Sequence, residues 1–145
     1  MKTDLLKIMK SGLLLILSCL FLSCSTRFTE KQIQNEKFIN EFCSNKKVIH
    51  NLKKYSGHLI LIYDDRHLLT QSLKTFNNDS TEIRIQTALP KNEFYFKINK
   101  FILNSDLAFV VLETNDNTKG VVFYLLKDEQ DQQWYVMNIE HKNAK

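Results

Sequence analysis

The sequence predicts an α+β fold in which an N-terminal helix packs on one face of an antiparallel, curved β-meander. Two patterns in the chain predict this class. Apolar residues recur at steps of three and four between residues 38 and 52, apart from one gap after residue 43. From Gly57 onwards they alternate with polar residues or form short apolar runs between polar turns. A helical segment followed by a series of strands is typical of α+β architecture, with the helix covering one side of the sheet.

The helical segment is predicted to run from about residue 30 to residue 54. Thr29 can serve as its N-cap, and Ser44 and Asn45 interrupt the pattern and can divide it into two helices. The apolar stripe consists of Phe38, Ile39, Phe42, Cys43, Ile49 and Leu52. Four lysines lie towards the end of the segment, where cations suit the helix dipole: Lys46, Lys47, Lys53 and Lys54. We expect a solvated helix end; contact with anionic lipid head groups requires that these lysines cluster on a membrane-facing side.

The remaining elements are predicted to be strands. Residues 59–63 form a continuous apolar run, which is typical of a buried strand. For residues 65–76 two alternatives stay open, a short helix capped by Asp64 or a second strand, and residues 77–80 have the composition of a loop. Further strands are predicted within residues 83–89, 94–103, 107–112, 121–126 and 134–139, with hairpin loops at residues 115–120 and 128–133.

The first 24 residues have the layout of a bacterial export signal. Lys2, Lys7 and Lys10 precede the apolar stretch Leu13–Leu22, and Ser23 is the small residue expected before a cleavage site. The apolar stretch is about half the roughly 20 residues that a membrane-spanning helix needs. A cleaved signal is therefore the better interpretation than a lasting transmembrane anchor.

Phe21-Leu22-Ser23-Cys24 resembles the lipobox of bacterial lipoproteins, and its departure at Phe21 is similar to the relaxed lipobox of the Bacteroidota. The resemblance implies that Cys24 carries acyl chains that hold the protein in membrane lipid. It implies a location in the cell envelope, on the periplasmic or surface face of the outer membrane. Ile16-Leu17-Ser18-Cys19 is a second candidate, but it would leave a short apolar region before the cleavage site and apolar residues at the mature N-terminus.

This interpretation divides the chain into a signal peptide (residues 1–23), a lipidated tether (24–29) and a single α+β domain (30–145). The mature chain keeps 17 basic and 15 acidic residues, a net charge of +2, so its surface is nearly neutral and nucleic acid is not an expected partner. With Cys24 acylated, Cys43 is the one remaining thiol, and we expect it to be a small buried hydrophobe on the helix. Without the anchor, Cys24 and Cys43 could instead form a disulfide.

The closing strands carry a second resemblance. Residues 106–112, 120–128 and 133–139, the last of which begins Gln133-Trp134-Tyr135-Val136, are similar to the final strands of nuclear-transport-factor-2-like or cystatin-like domains. The resemblance implies a curved sheet wrapped around a helix, in some cases with a cavity. It implies no particular activity, because such folds carry both enzymes and binding modules.

Candidate chemistry is sparse. The densest polar cluster is Asp64-Asp65-Arg66-His67, in which Asp64 and His67 are the candidate site residues, although a capped turn with a local ion pair is the expected role. The four histidines form no recognised metal-ligand pair, and residues 115–120 lack the spacing of a calcium loop, so no metal or cofactor is predicted. Motifs of nucleophilic hydrolases, phosphate loops and redox dithiols are absent from the sequence.

Two further features bear on function. Asp79-Ser80-Thr81 resembles the short O-glycosylation motif of exported Bacteroidota proteins, which would make Ser80 the modified residue. Six aromatic residues are expected mostly in the core: Phe94, Phe96, Phe101, Phe109, Phe123 and Trp134. Tyr95, Tyr124 and Tyr135 fall on the opposite parity, where they could form an exposed or cavity-lining aromatic face or pack under a helix or loop.

Together these observations favour a lipid-anchored envelope protein that acts as a non-enzymatic binding or accessory domain, with an envelope protein as its partner. The alternative is a periplasmic immunity protein or inhibitor of a toxin or lytic enzyme, and the third choice is a small enzyme. A cavity with convergent Asp, His or Tyr side chains would favour an enzyme or ligand binder. A filled core with an exposed acidic or aromatic patch would favour an inhibitor.

Overall fold

The computed structural model describes residues 32–143, and the compact unit discussed below begins at Asn35. The predicted signal, both candidate lipidation sites, the tether and Thr29 lie outside the described residues. The first helix, α1, covers residues 32–44 of the described chain. The other elements are α2 (Lys46–Ser56), β1 (Leu59–Tyr63), β2 (Lys74–Asn78), β3 (Thr81–Gln86), β4 (Phe96–Leu103), β5 (Leu107–Thr114), β6 (Lys119–Lys127) and β7 (Trp134–Asn143).

The predicted division of the helical segment at Asn45 is confirmed. Asn45 lies between α1 and α2 in an extended conformation, and its side-chain oxygen accepts hydrogen bonds from the backbone N–H groups of Lys47 and Val48 at 3.0 and 3.4 Å. This N-cap satisfies two of the donors that the start of α2 leaves without a helical partner. The helix ends at Gly57, whose φ of +71° is readily adopted only by glycine and whose N–H donates to the carbonyl of Lys53 at 2.9 Å.

The seven strands form one mixed sheet in the order β2-β3-β1-β4-β5-β6-β7. The α+β class is confirmed, but the prediction of an antiparallel meander is wrong for the first half of the sheet. Strand β1 lies between β3 and β4 and runs parallel to both, whereas β2–β3 and β4 through β7 are antiparallel. The reason is the apolar run of β1: a strand that is apolar on both sides is suited to the middle of a sheet.

The core lies between the two helices and one side of the sheet, called here the inner face. Phe38 on α1 stacks on Phe42 with ring centroids 5.7 Å apart, and Phe42 meets Phe123 of β6 edge-on at 5.4 Å. Alternate residues of the strands complete the layer, among them Ile60, Ile62, Ile83, Ile85, Phe96, Ile98, Val110, Leu112, Val121 and Leu125. All of these side chains are at most 1 % exposed, so the core is filled.

Two predictions about single core residues are confirmed. Trp134 and Val136 occupy the same face of β7 and are each 7 % exposed, and the Trp134 ring meets Phe38 edge-on at 5.2 Å. Cys43 on α1 is fully buried as a free thiol, and its burial raises the pKa of the thiol far above its ordinary value. A thiol that remains protonated is a poor nucleophile and metal ligand, so Cys43 acts as a small apolar side chain.

Strand β7 is an edge of the sheet, and the helices cover part of that edge. A carboxylate oxygen of Glu41 on α1 accepts a hydrogen bond from the backbone N–H of Trp134 at 2.8 Å. The ammonium group of Lys47 on α2 donates to the carbonyl of Val136 at 3.4 Å. Because these groups occupy backbone positions that an added strand would use, the start of β7 is protected from edge-to-edge pairing.

Candidate functional site

The cluster singled out in the sequence, Asp64 to His67, is built as a structural turn. Asp64 follows β1 and its side chain is fully buried. One carboxylate oxygen accepts from the N–H of Leu68 at 2.8 Å, and the other accepts from the N–H groups of Leu69 and Thr70 at 2.7 and 3.0 Å. Residues 65–73 form irregular structure, so neither alternative describes this stretch fully: there is no helix, and the strand begins only at Lys74. The carboxylate holds this loop in place.

The other residues of the cluster point to different partners. Asp65 forms exposed ion pairs with Lys97 at 3.1 Å and with Arg66 at 3.9 Å. Arg66 also donates to the carbonyls of Ile98 and Asn99, where the pairing of β4 with β5 shifts register. His67 is exposed, with a φ of 53°. Among residues 32–143, His67 belongs to no group of side chains placed to hold a metal ion, and the bonds of its neighbours stabilise the loop.

The remaining histidines lie apart from one another. His58 bonds through Nδ1 to the carbonyl of Ser80 at 2.9 Å, whereas His141 lies between the Tyr55 hydroxyl at 2.8 Å and the Asn51 side-chain oxygen at 3.1 Å. His50 is exposed on α2. Within residues 32–143, no group of three His, Cys, Asp or Glu side chains is placed to hold a metal ion.

The predicted turn at residues 115–120 is confirmed as the β5–β6 hairpin connection, although Lys119 and Gly120 already belong to β6. The Asp116 carboxylate accepts hydrogen bonds from the Thr114 hydroxyl and from both the N–H and the hydroxyl of Thr118, and these bonds lower its pKa to about 2. The carboxylate is thus engaged by its own turn. Asp116 therefore stabilises the turn, and its hydrogen bonds do not indicate a cation site.

The outer face of the sheet, on the side away from the helices, is the candidate binding surface because it exposes apolar side chains. Here seven apolar or aromatic side chains of β4 to β7 form what we call the outer patch: Ile102, Leu107, Phe109, Tyr124, Leu126, Tyr135 and Met137. The most exposed are Met137 at 63 %, Leu107 at 48 % and Tyr135 at 47 %. The rings of Phe109 and Tyr124 meet at 5.1 Å, and the patch contains a shallow groove of about 270 Å³.

The outer patch corrects two sequence predictions. Phe109, expected in the core, lies on the outer face, because β5 is apolar on both parities and its neighbours Ala108 and Val110 take the inner positions. Tyr124 and Tyr135 share the outer patch, as the parity argument allows, but Tyr95 instead packs edge-on against Tyr63 at 5.6 Å. The sequence does indicate such a patch, because residues 107–112 and 121–126 place apolar side chains on both faces of their strands.

Acidic side chains border one end of the outer patch. The exposed or half-buried carboxylates Asp106, Asp128, Glu129 and Asp131 lie in the β4–β5 and β6–β7 connections. These two connections are neighbours, since the carbonyl of Asp106 accepts from the N–H of Lys127 at 2.7 Å. We call these four residues the acidic rim.

Hydrogen bonds link the patch to its charged surroundings. The Tyr135 hydroxyl donates to Asp131, which lowers the pKa of Asp131 and raises the pKa of Tyr135. Partial desolvation and the nearby Glu140 carboxylate raise the pKa of Tyr124. Asp131 therefore stays ionised and both tyrosines stay neutral at ordinary pH, so the patch combines uncharged aromatic groups with a fixed negative border.

Neither α1, over its described residues, nor α2 is long and apolar enough to cross a membrane. Ser80 is exposed in the turn between β2 and β3, where Lys53 donates to its hydroxyl at 3.4 Å.

Comparison with protein-family models, with curated proteins and with solved structures finds no match to this chain, so its function has to be inferred from its own residues.

Proposed function

We propose that this chain is an envelope lipoprotein, anchored through acylated Cys24, whose folded domain binds a partner protein on the outer patch and performs no catalysis. The observation that carries the proposal is the exposed apolar area of the patch. Large apolar side chains such as Met137 and Leu126 cost free energy when they face water, and contiguous patches of this kind mark interaction surfaces. Aromatic residues and methionine are also enriched at the centres of protein interfaces.

The acidic rim supports a partner with a basic surface. Four carboxylates around one end of an apolar patch favour the approach of positive charge. The cations beside them are Lys127 at the end of β6 and Lys37, which donates to the carbonyl of Gln132, so the acids outnumber the lysines there. A filled core beneath an aromatic and acidic surface is also the combination that favours the alternative function, an inhibitor that neutralises a basic toxin or lytic enzyme. A small enzyme is the least supported choice. One pocket beside the β2–β3 turn is lined by His58, Asp79 and Glu82, but His58 Nδ1 is bonded to the carbonyl of Ser80 and the Glu82 carboxylate is paired with Arg84.

The finer fold assignment, an NTF2-like or cystatin-like domain, stays a prediction. It is supported by the antiparallel strands β5 to β7, by the Trp134 strand at the end and by helices on one face of the sheet. The parallel strand β1 in the middle of the sheet is a departure from a simple meander. O-glycosylation of Ser80 also stays a prediction, and the exposure of that hydroxyl is compatible with it.

Site-directed photo-crosslinking in the native envelope tests the partner proposal. A photoreactive amino acid at Met137 or Leu126 is expected to give one discrete adduct, whereas the same group at Leu73 or Leu89, which are exposed leucines outside the patch, gives none. With the partner purified, Met137→Ser and Leu126→Ser together should weaken binding about tenfold or more, as removal of central interface residues does. Equal adducts at all four positions, or none at the patch, would overturn the proposal.

The same partner distinguishes the two binding functions. If the chain is an inhibitor, the crosslinked protein is a toxin or lytic enzyme, and one equivalent of the purified domain abolishes its activity. If the chain is an accessory domain, the partner's activity is unaffected or depends on the domain. Binding to a basic partner should in both cases weaken as salt rises, because the acidic rim is exposed and screened.

Replacement of Cys24 by Ala tests the anchor. The variant is expected to lose its acyl label and its retention in membranes, because Cys43 is buried and the domain surface is nearly neutral. Metabolic labelling with a fatty acid and detergent-phase partitioning measure the two effects, and Cys19→Ala serves as the matched control that keeps both. A Cys24→Ala protein that remains acylated would reject the assignment and promote Cys19.

A further inference from the structure

Helix α2 carries a one-sided positive surface that the proposed function does not use. Its eleven residues include four lysines and one histidine and no acidic residue. Lys47 is engaged with the Val136 carbonyl, and Lys54 donates to the Asn51 side chain at 3.3 Å. Lys46, His50 and Lys53, at steps of four and three, line a separate surface of the helix.

This second surface forms one wall of a groove of about 430 Å³, whose other wall is the turn between β2 and β3. The volume falls in the range of roughly 300–1,000 Å³ that is typical of ligand pockets. Hydroxyl groups of Ser44 and Ser80 also line the groove, and Asp79 is the one carboxylate among its lining residues. We call this the α2 groove; it is separate from the outer patch, which lies on the other face of the sheet.

The turn that forms the second wall is held in position. The carbonyl of Ser80 bonds to the His58 ring at 2.9 Å, and the Asn78 amide donates to the carbonyl of Cys43 at the end of α1, at 3.0 Å. Asp79 has a φ of 47°, as expected at a tight turn. These bonds fix the turn to residues on either side of α2 in the chain, Cys43 before the helix and His58 after it.

We propose that the α2 groove binds a phosphate group. Two ammonium groups, an imidazole and two hydroxyls provide donors from both walls, and lysine is a common point-charge ligand of phosphate. Within the described residues, neither Lys46 nor His50 forms an ion pair, and Lys53 contacts only a neutral hydroxyl. Asp79 is the one carboxylate that lines the groove with Lys46 and Lys53, so the groove keeps an excess of positive charge that a phosphate would balance.

The phosphate could belong to a free molecule or to a lipid head group, and two measurements separate these sources. The first is titration of the full chain, purified in detergent, with inorganic phosphate at constant ionic strength, followed by the backbone amide signals of Lys46, His50 and Ser80. The second is sedimentation with vesicles of phosphatidylglycerol or, as the uncharged reference, phosphatidylcholine. Both measurements use the Lys46→Gln, Lys53→Gln double variant and the control Lys142→Gln, an exposed lysine on β7.

Saturable shifts confined to the groove are expected with inorganic phosphate, about fivefold to tenfold weaker in the double variant and unchanged in the control. A lysine-dependent preference for phosphatidylglycerol vesicles in addition assigns the site to a head group, and saturation by free phosphate without that preference assigns it to a soluble ligand. Equal effects of chloride and phosphate, or loss of binding in Lys142→Gln to the same extent, would overturn the proposal. Because the outer patch is untouched, the crosslinking at Met137 tests the proposed function independently.

Discussion

Replacement of Trp134 by Ala is expected to lower the free energy of unfolding by about 3–5 kcal/mol, as truncation of buried aromatic residues does. The indole is 7 % exposed and packs edge-on against Phe38, so its removal leaves a cavity between β7 and α1. A domain of this size has a total stability of roughly 5–15 kcal/mol, so the variant should lose a large share of it.

Thermal and denaturant unfolding of the purified domain measure this effect. Met137→Ala is the matched control, because this residue is 63 % exposed on the outer face of the same strand, and surface changes of this kind usually stay within about 0.5 kcal/mol. A Trp134→Ala protein that melts within a few degrees of the unchanged domain would contradict the described packing of β7 on α1.

Replacement of Asp64 by Ala should destabilise the domain by about 2–5 kcal/mol. The loop 65–73 would lose three hydrogen bonds to one carboxylate, and the N–H groups of Leu69 and Thr70 would stay buried without partners. Each unsatisfied buried donor costs about 1–3 kcal/mol. This exceeds the roughly 0.5–2 kcal/mol expected from the loss of an ordinary helix cap, because the carboxylate is fully buried and serves a loop that has no helical hydrogen bonds of its own.

Denaturant unfolding again gives the measurement, and His67→Ala provides the comparison within the same turn. Since His67 is exposed, its replacement should leave stability, metal content and partner affinity nearly unchanged. Elemental analysis of protein purified without chelator checks the metal content of both proteins. Stoichiometric zinc that disappears in His67→Ala would overturn the structural interpretation of this turn and restore a catalytic or metal-binding one.

Helix ends, hairpin connections and strand faces could be predicted from the sequence where they depend on residues that are close together in the chain. Asn45 ends one helix and caps the next through its own side chain, and Gly57 terminates α2 because it tolerates positive φ. The hairpin connections at residues 115–118 and 128–133 follow from polar, turn-forming residues between apolar runs. Burial of Trp134 followed from strand alternation with Val136. In each case the deciding interactions are short-range.

The location of the candidate binding surfaces could be predicted less well. Alternation separates the two faces of a strand only when one of them is polar, and β5 and β6 carry apolar residues on both, so Phe109 was assigned to the wrong face. The sequence shows that α2 is rich in lysine. Only their positions relative to the β2–β3 turn separate Lys46 and Lys53, which line the groove, from Lys47, which contacts β7.

The sequence by itself determined the α+β class, the division of the helical segment, the hairpins and the expectation of a lipid anchor at Cys24, because each depends on residues within one short stretch. The tertiary structure decided that β1 lies parallel between β3 and β4, that the Asp64 carboxylate holds a loop, and that the outer patch remains uncovered by the described helices. These features depend on which strands pair and on how much apolar surface two helices can cover, and such long-range choices leave little trace in local sequence patterns.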